Sequence, residues 1–279
     1  GFAFVAQRVG MDYVGPFTFN AVRFSLGSVS LLPLILLLQK RQPQTKRVAQ
    51  KPVVIGSLLA GGALFAGASL QQAGLVYTNA GKAGFITGLY VVIVPLLGLF
   101  WKQRPRLGTW FGAILAAVGL YFLSITDDFS ISFGDLLVLI GAFFWSGHVL
   151  LIGWLAPRTD SLKLASAQFA VCSVLSFATA FAIETITLDS ILQATVPILY
   201  GGLGSVGIAY TLQVIAQREA HPAHSAIILS LEGVFAAIGG WLLLGEILSL
   251  RGFFGCALML VGMLLSELSG FFSKQKSSL

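Results

Sequence analysis

Apolar residues run in blocks of 17–25 that recur nearly end to end along the chain, separated by short polar or charged stretches. About 20 apolar residues in a helix suffice to cross the hydrocarbon core of a bilayer. The pattern predicts spans at 16–38, 53–75, 80–101, 107–125, 133–154, 161–183, 190–214, 221–244 and 249–270. Gly1–Val9 reads as the tail of a further helix.

The blocks repeat. Residues 107–123 (LGTWFGAILAAVGLYFL) and 250–266 (LRGFFGCALMLVGMLLS) match at six of seventeen positions with an offset of 143, among them Gly112 with Gly255 and Gly119 with Gly262. At the same offset, 79–101 aligns with 222–244, placing Lys82 on Ser225, Thr87 on Ser230 and Leu89 on Glu232. Arg23-Phe24 aligns with Gln168-Phe169 at an offset of 145, which puts Gly1 on Ser146. The counterpart of Phe133–Trp145 is then missing, so the expectation is a chain that starts partway through its first span. No charged leader or cleavage site precedes it, so Gly1–Val9 does not read as a signal peptide. The intact plan would be ten helices in two five-helix repeats, 1–126 and 127–279, in an all-α membrane protein.

Composition agrees. The chain is 56% hydrophobic and 10% charged, against about 25% charged in a soluble domain. Its formal charge of +6 does not point to nucleic acid, because the basic residues sit in the short loops. With the N-terminus placed in the cytoplasm, the inner loops hold Lys40, Arg41, Lys46, Arg47, Lys51, Lys102, Arg104, Arg106, Arg158 and Arg218, and the tail holds Lys274 and Lys276. The outer loops hold mainly Asp12, Asp127, Asp128, Glu184, Asp189 and Glu246. This is the positive-inside bias, with both termini cytoplasmic. An odd number of spans per repeat makes the second repeat enter from the opposite face, hence inverted. Cys172 and Cys256 lie within spans and read as buried thiols. No Walker A motif supplies an ATP-driven motor, and no cofactor or metal is implied.

The stretches YTNAGKAGFITGLYVVIVPLLG and SLEGVFAAIGGWLLLGEILSLRGFFGCALMLVGMLL are similar to the two halves of the EamA family, within the drug/metabolite transporter superfamily. The Leu-Glu of the ninth helix, the Leu-Gly-Glu at its end and the G-x6-G of the tenth carry the resemblance. It departs at Gly233, where the family often has Pro; Pro95 is kept in the first repeat. The resemblance implies a multi-pass carrier of the bacterial inner membrane that moves amino acids or related metabolites, usually outward. Its partners would be lipids and a small solute, as a monomer or homodimer.

Glu232 is the most informative polar position. It lies mid-span, where an ionised acid costs about 2.5–3.5 kcal/mol and so faces a cavity or a partner. Arg23, Lys82, Gln71, Gln72 and Asn20 are expected to form a basic outer vestibule; Gln168, Ser225 and Gln213 are their counterparts at the inner end, one gate per face. Snorkelling to the headgroups is the structural alternative for Arg23 and Lys82. His148 reads as a hydrogen-bonding or relay group, and Trp145, Tyr90 and Tyr210 as cavity wall. Gly84 and Gly88, Gly112 and Gly119, and Gly255 and Gly262 read as helix-packing positions. Pro33, Pro95 and Pro197 should kink their spans.

The favoured function is secondary transport of a small organic solute by alternating access. A proton-coupled exporter of drugs or organic cations is the second reading. A membrane enzyme on lipid substrates is the third, but Glu232, His148, His221 and His224 fall at different depths.

Overall fold

The computed structural model describes the backbone of residues 1–41, 50–100, 102, 105, 107–124, 132–247 and 249–276. Of the loop charges, Lys46, Arg47, Arg104, Arg106, Asp127 and Asp128 lie outside the described residues.

The described chain is helical. Its order is α1 (Phe2–Gly10), α2 (Pro16–Ser30), α3 (Leu32–Arg41), α4 (Gln50–Gly74), α5 (Ala80–Gly88), α6 (Tyr90–Phe100), α7 (Leu107–Ser124), α8 (Phe133–Leu155) and α9 (Ser161–Ile183). Then come α10 (Leu188–Gln193), α11 (Thr195–Leu199), a π-helical segment at Tyr200–Tyr210, α12 (Thr211–Ala216), α13 (Pro222–Leu229), α14 (Leu231–Leu244) and α15 (Leu250–Lys276). Among the described residues, seven helices or helix pairs are long and apolar enough to span a membrane, beginning at Pro16, Val54, Ala80, Phe133, Ser161, Thr195 and Pro222. Leu107–Gly119 and Leu250–Leu265 are shorter apolar helices.

Local chemistry sets the helix starts. Pro16 and Pro222 open α2 and α13 at the position where no N–H is needed. Asn79, Asp160 and the Ser132/Asp135 box cap α5, α9 and α8. The expected span 190–214 begins instead at Thr195. Thr187 starts a separate short helix there, with Ser190 N–H donating to its hydroxyl, and Ala194 ends it.

Two spans are broken at their middles. Gly88 ends α5 and Leu89 separates it from α6, which carries Pro95. Ser230 separates α13 from α14, with its hydroxyl turned back onto the Ile227 carbonyl at 2.7 Å. A proline in one repeat and a back-bonding serine in the other thus accompany breaks at nearly matching points. Pro33 and Pro197 each follow a break, at Leu31 and Ala194. Among the described residues two have a left-handed backbone, Lys102 (φ 59°) and, 143 residues on, Gly245 (φ 68°), the C-cap of α14.

Small residues bring the helices together. A methyl at Gly119 would lie 2.5 Å from the Gly255 carbonyl oxygen, and one at Gly262 would lie 2.7 Å from that of Gly112. The helices α7 and α15 therefore pack antiparallel with backbones touching. α4 lies against α8 through Gly67 on Trp145 and Gly74 on Val138. α2 lies against α9 through Ser28–Ser166 and Ser25–Ser173 hydroxyl pairs at 3.2 and 2.6 Å. Where α5 crosses α14, a methyl at Gly84 would meet the Ala236 Cβ at 2.6 Å.

Candidate functional site

The broken spans meet at a cavity of about 160 Å³. Its wall includes Gln7 of α1, Gln71 of α4, Tyr90 of α6, Trp145 of α8, Tyr210 and Glu232. Tyr90 is the first residue of α6 and Glu232 lies in the first turn of α14. The Tyr90 hydroxyl donates to Glu232 Oε1 at 2.9 Å, joining residues 142 apart in sequence. A carboxylate in a first turn is favoured by the exposed N–H groups and dipole of its own helix.

Gln7 and Gln71, in the same wall, belong to a separate ladder of amides. Gln71 Nε2 donates to Gln7 Oε1 at 3.1 Å, Gln72 Nε2 to the Gln7 carbonyl at 3.1 Å, and Thr87 Oγ1 to Gln71 Oε1 at 3.4 Å. The Trp145 and Tyr210 rings stand edge to face, with centroids 5.6 Å apart.

The expected outer vestibule does not assemble. Arg23 is the largest fully buried side chain. Its Nε donates to Asn20 Oδ1 at 3.0 Å, and Asn20 Nδ2 donates to the Ala68 carbonyl at 3.2 Å. The guanidinium lies over Phe24 and Phe19, 4.9 and 5.5 Å from the ring centroids; Nη1 and Nη2 have no hydrogen-bond partner among the described residues. Arg23 is absent from the cavity wall. It orients Asn20, which ties α2 to α4, so Arg23→Lys is expected to lower the melting temperature by loss of the Nε–Asn20 bond and the ring contacts. Solute affinity, read in the same protein by calorimetry, should stay unchanged.

Lys82 pairs with Asp135 at 2.7 Å, and Thr78 donates to the same carboxylate at 2.9 Å. Lys82 lines a separate surface pocket of about 440 Å³ with Arg8, Tyr77, Thr78, Asn79 and Ser132. Gln71 and Gln72 turn inward to Gln7 and do not join it. The inner-end candidates also separate. Gln168 meets His148 (Nε2 to Oε1, 2.9 Å), Gln213 lines the cavity and pairs with Gln217, and Ser225 is buried in α13. His148 touches the Trp145 ring edge-on behind the cavity. His224 meets Thr109 at 3.0 Å, so the acid and the histidines form no single cluster.

Three residues went unrecognised in sequence. Gln7 sits in the short first helix. Glu184 and Glu246 read as loop charges, yet each caps a helix of the other half. Glu184 accepts from the N–H groups of Phe17 and Thr18 (2.9 and 2.8 Å) and from the Thr18 hydroxyl (2.7 Å). Glu246 accepts from Ala80 and Gly81 (2.9 and 3.1 Å). The Leu-Gly-Glu at the end of the ninth span was the one visible signal.

Spanning helices, two of them broken at their middles, and a cavity at their crossing with a carboxylate in its wall are the features of a multi-pass membrane protein with room for a small solute. The comparisons carry this to a family. Residues 1–125 and 132–268 match the EamA-like transporter family, and the chain belongs to it. It is 32% identical over 270 residues to an uncharacterized transporter of Archaeoglobus fulgidus, covering 96% of this chain and 82% of the relative. It is 23% identical to the uncharacterized transporter YoaV of Bacillus subtilis, over 99% of this chain and 94% of that one. One solved crystal structure shares the fold with a TM-score of 0.74 at 18% identity, covering 96% of this chain and 94% of that chain.

Proposed function

We propose that the protein is a secondary carrier of a small organic metabolite, an amino acid or a related solute. It works by alternating access between two inverted halves in a bacterial inner membrane, with both termini cytoplasmic. The observation that carries this reading is the cavity itself. Both halves wall it, and the Tyr90–Glu232 hydrogen bond crosses between them. Half-helix ends at such a cavity are the arrangement transporters use for polar solutes.

Two further features support it. The contact of Gly119 with Gly255 is mirrored by that of Gly262 with Gly112. Exchanging repeat-equivalent residues regenerates the contact, as a two-fold axis perpendicular to the helices requires. The second feature is a set of ties on one face. Asp135, Glu184 and Glu246 all belong to the second half, and each grips helix-start groups of the first half. On this face the crossing of α5 and α14 is small against small: Gly81 against Ala237, and Gly84 against Gly233 and Ala236. Toward the other face α6 meets α13, and the repeat-equivalent positions there are the larger His224 and Ile227 on α13 and Tyr90, Ile93 and Val94 on α6. One gate closes backbone to backbone under carboxylate ties, and the other closes with bulky side chains.

Counterflow in proteoliposomes tests transport, with a panel of amino acids, amines, nucleosides and organic acids. Saturable exchange of one or more is expected; no exchange of any overturns the carrier. The gate is tested by Glu184→Gln combined with Glu246→Gln and a cysteine at Ala209. Each glutamine keeps one acceptor oxygen and loses the charge that strengthens bonds to helix N–H groups. Labelling by an impermeant maleimide from the acidic-loop face should rise several-fold. Unchanged labelling would remove these carboxylates from the gate.

A further inference from the structure

The chemistry of the cavity wall narrows the solute class; it rests on the carrier reading above but departs from the amino acid in it, toward a related amine without a carboxylate. Glu232 is the one ionisable carboxylate in the wall, no lysine, arginine or histidine side chain stands with it among the described residues, and the amino end of Gly1 lies beside it. Arg23 lies outside, held over Phe19 and Phe24, and Lys82 is held by Asp135 in a different pocket. A solute carboxylate therefore finds no cationic side chain here. The N-terminal end of α14, which by itself would attract an anion, already holds Glu232 in its first turn.

The uncharged groups pair in part with one another. Gln7 Nε2 donates to the Ala3 carbonyl at 3.1 Å, Gln71 Nε2 donates to Gln7, and Tyr90 donates to Glu232. Each of these amide groups has a second N–H as well as a second oxygen lone pair, the Trp145 indole N–H has no partner among the described residues, and the carboxylate has a second oxygen. Tyr90, Trp145 and Tyr210 add aromatic faces, which attract cations. The features of the wall that favour a cation are therefore the free carboxylate oxygen and the aromatic faces. A cavity of about 160 Å³ compares with the roughly 150 Å³ cavity that holds a benzene molecule.

We propose that the cavity selects a compact organic cation, a primary amine or short diamine of about six to eight heavy atoms. Its ammonium group meets Glu232, and its methylene stem lies along Trp145 and Tyr210.

Three probes of one length separate the charges: putrescine, 1,4-butanediol and succinate. Binding is read by calorimetry on the protein in nanodiscs and by indole fluorescence, to which Trp145 contributes. Putrescine is expected to bind at least about 30-fold more tightly than the diol or the diacid, about 2 kcal/mol in binding free energy. Glu232→Gln should bring putrescine down to the level of the diol. Succinate or the diol binding as well as putrescine overturns the proposal. So does putrescine binding that survives in Glu232→Gln, or the absence of putrescine binding. If Glu232→Gln does not fold, the ranking of the three probes on the unaltered protein decides alone. Counterflow of a neutral or acidic solute with no response to putrescine would leave the carrier standing and remove the amine class.

Discussion

Proteoliposomes carrying Glu232→Gln are expected to lose counterflow by about 30–100-fold while the protein keeps its fold. Glutamine has the shape of glutamate and can still accept the Tyr90 hydroxyl, so the Tyr90–Glu232 link between the halves is weakened and not removed. What disappears is the charge. A hydrogen bond to a charged partner contributes about 1.5–3 kcal/mol, which converts to roughly 10–150-fold in affinity. Stability should hold or rise, because an acid among buried aromatic and apolar groups is costly to keep. Tyr90→Phe removes one donor and leaves the carboxylate. Because the Tyr90–Glu232 bond is made within the protein and not to the solute, the expected effect on transport is smaller, about ten-fold or less, or about 1.4 kcal/mol. The ordering matters more than either value. If Tyr90→Phe costs more than Glu232→Gln, the tyrosine and not the acid is the group that meets the solute. If both leave transport unchanged, the cavity is not the site.

The second large effect falls on stability. Gly119→Ala places a methyl 2.5 Å from the Gly255 carbonyl oxygen and 2.8 Å from the Met259 backbone nitrogen. Both are backbone atoms within α15, so no side chain can rotate aside. The helices must separate, losing close contact along the crossing, at about 1–3 kcal/mol for overpacking. Gly262→Ala meets the Gly112 carbonyl oxygen at 2.7 Å and the Ala116 nitrogen at 3.0 Å, so its cost should be similar. Gly147→Ala is the control, since nothing lies within 4 Å of a methyl there. In detergent, the first two variants should melt several degrees below the third. Equal melting of Gly119→Ala and Gly147→Ala would mean that the crossing tolerates separation.

Several features of the site were legible one residue at a time. Glu232 stood out because a charge in the middle of an apolar span needs a partner or a cavity, and it has both. Tyr90, Trp145, Tyr210, Gln71 and Gln213 were named as candidates and do line the cavity. The vestibule failed for a definite reason. Arg23, Lys82 and the two glutamines were grouped by depth alone, and depth along a helix says nothing about azimuth. Arg23 turns toward Phe19, four residues before it, and Phe24, so part of its burial was written in its own helix. Lys82 answers to Asp135, 53 residues away, which no local pattern exposes.

The sequence by itself determined where the chain crosses the membrane. Seven described spans stand within about five residues of the expected ones, because span length is a transfer free energy summed over consecutive residues. It also determined the repeat in pattern, from glycines recurring at one offset. Only the tertiary structure decided which polar groups meet. The Tyr90–Glu232 bond, the Gln7–Gln71 ladder and the grip of Glu184 and Glu246 on α2 and α5 each join segments at least 64 residues apart. Such pairings depend on how helices rotate and cross, and the bilayer, which rewards any apolar face alike, leaves that choice to close packing and to polar groups that must find partners.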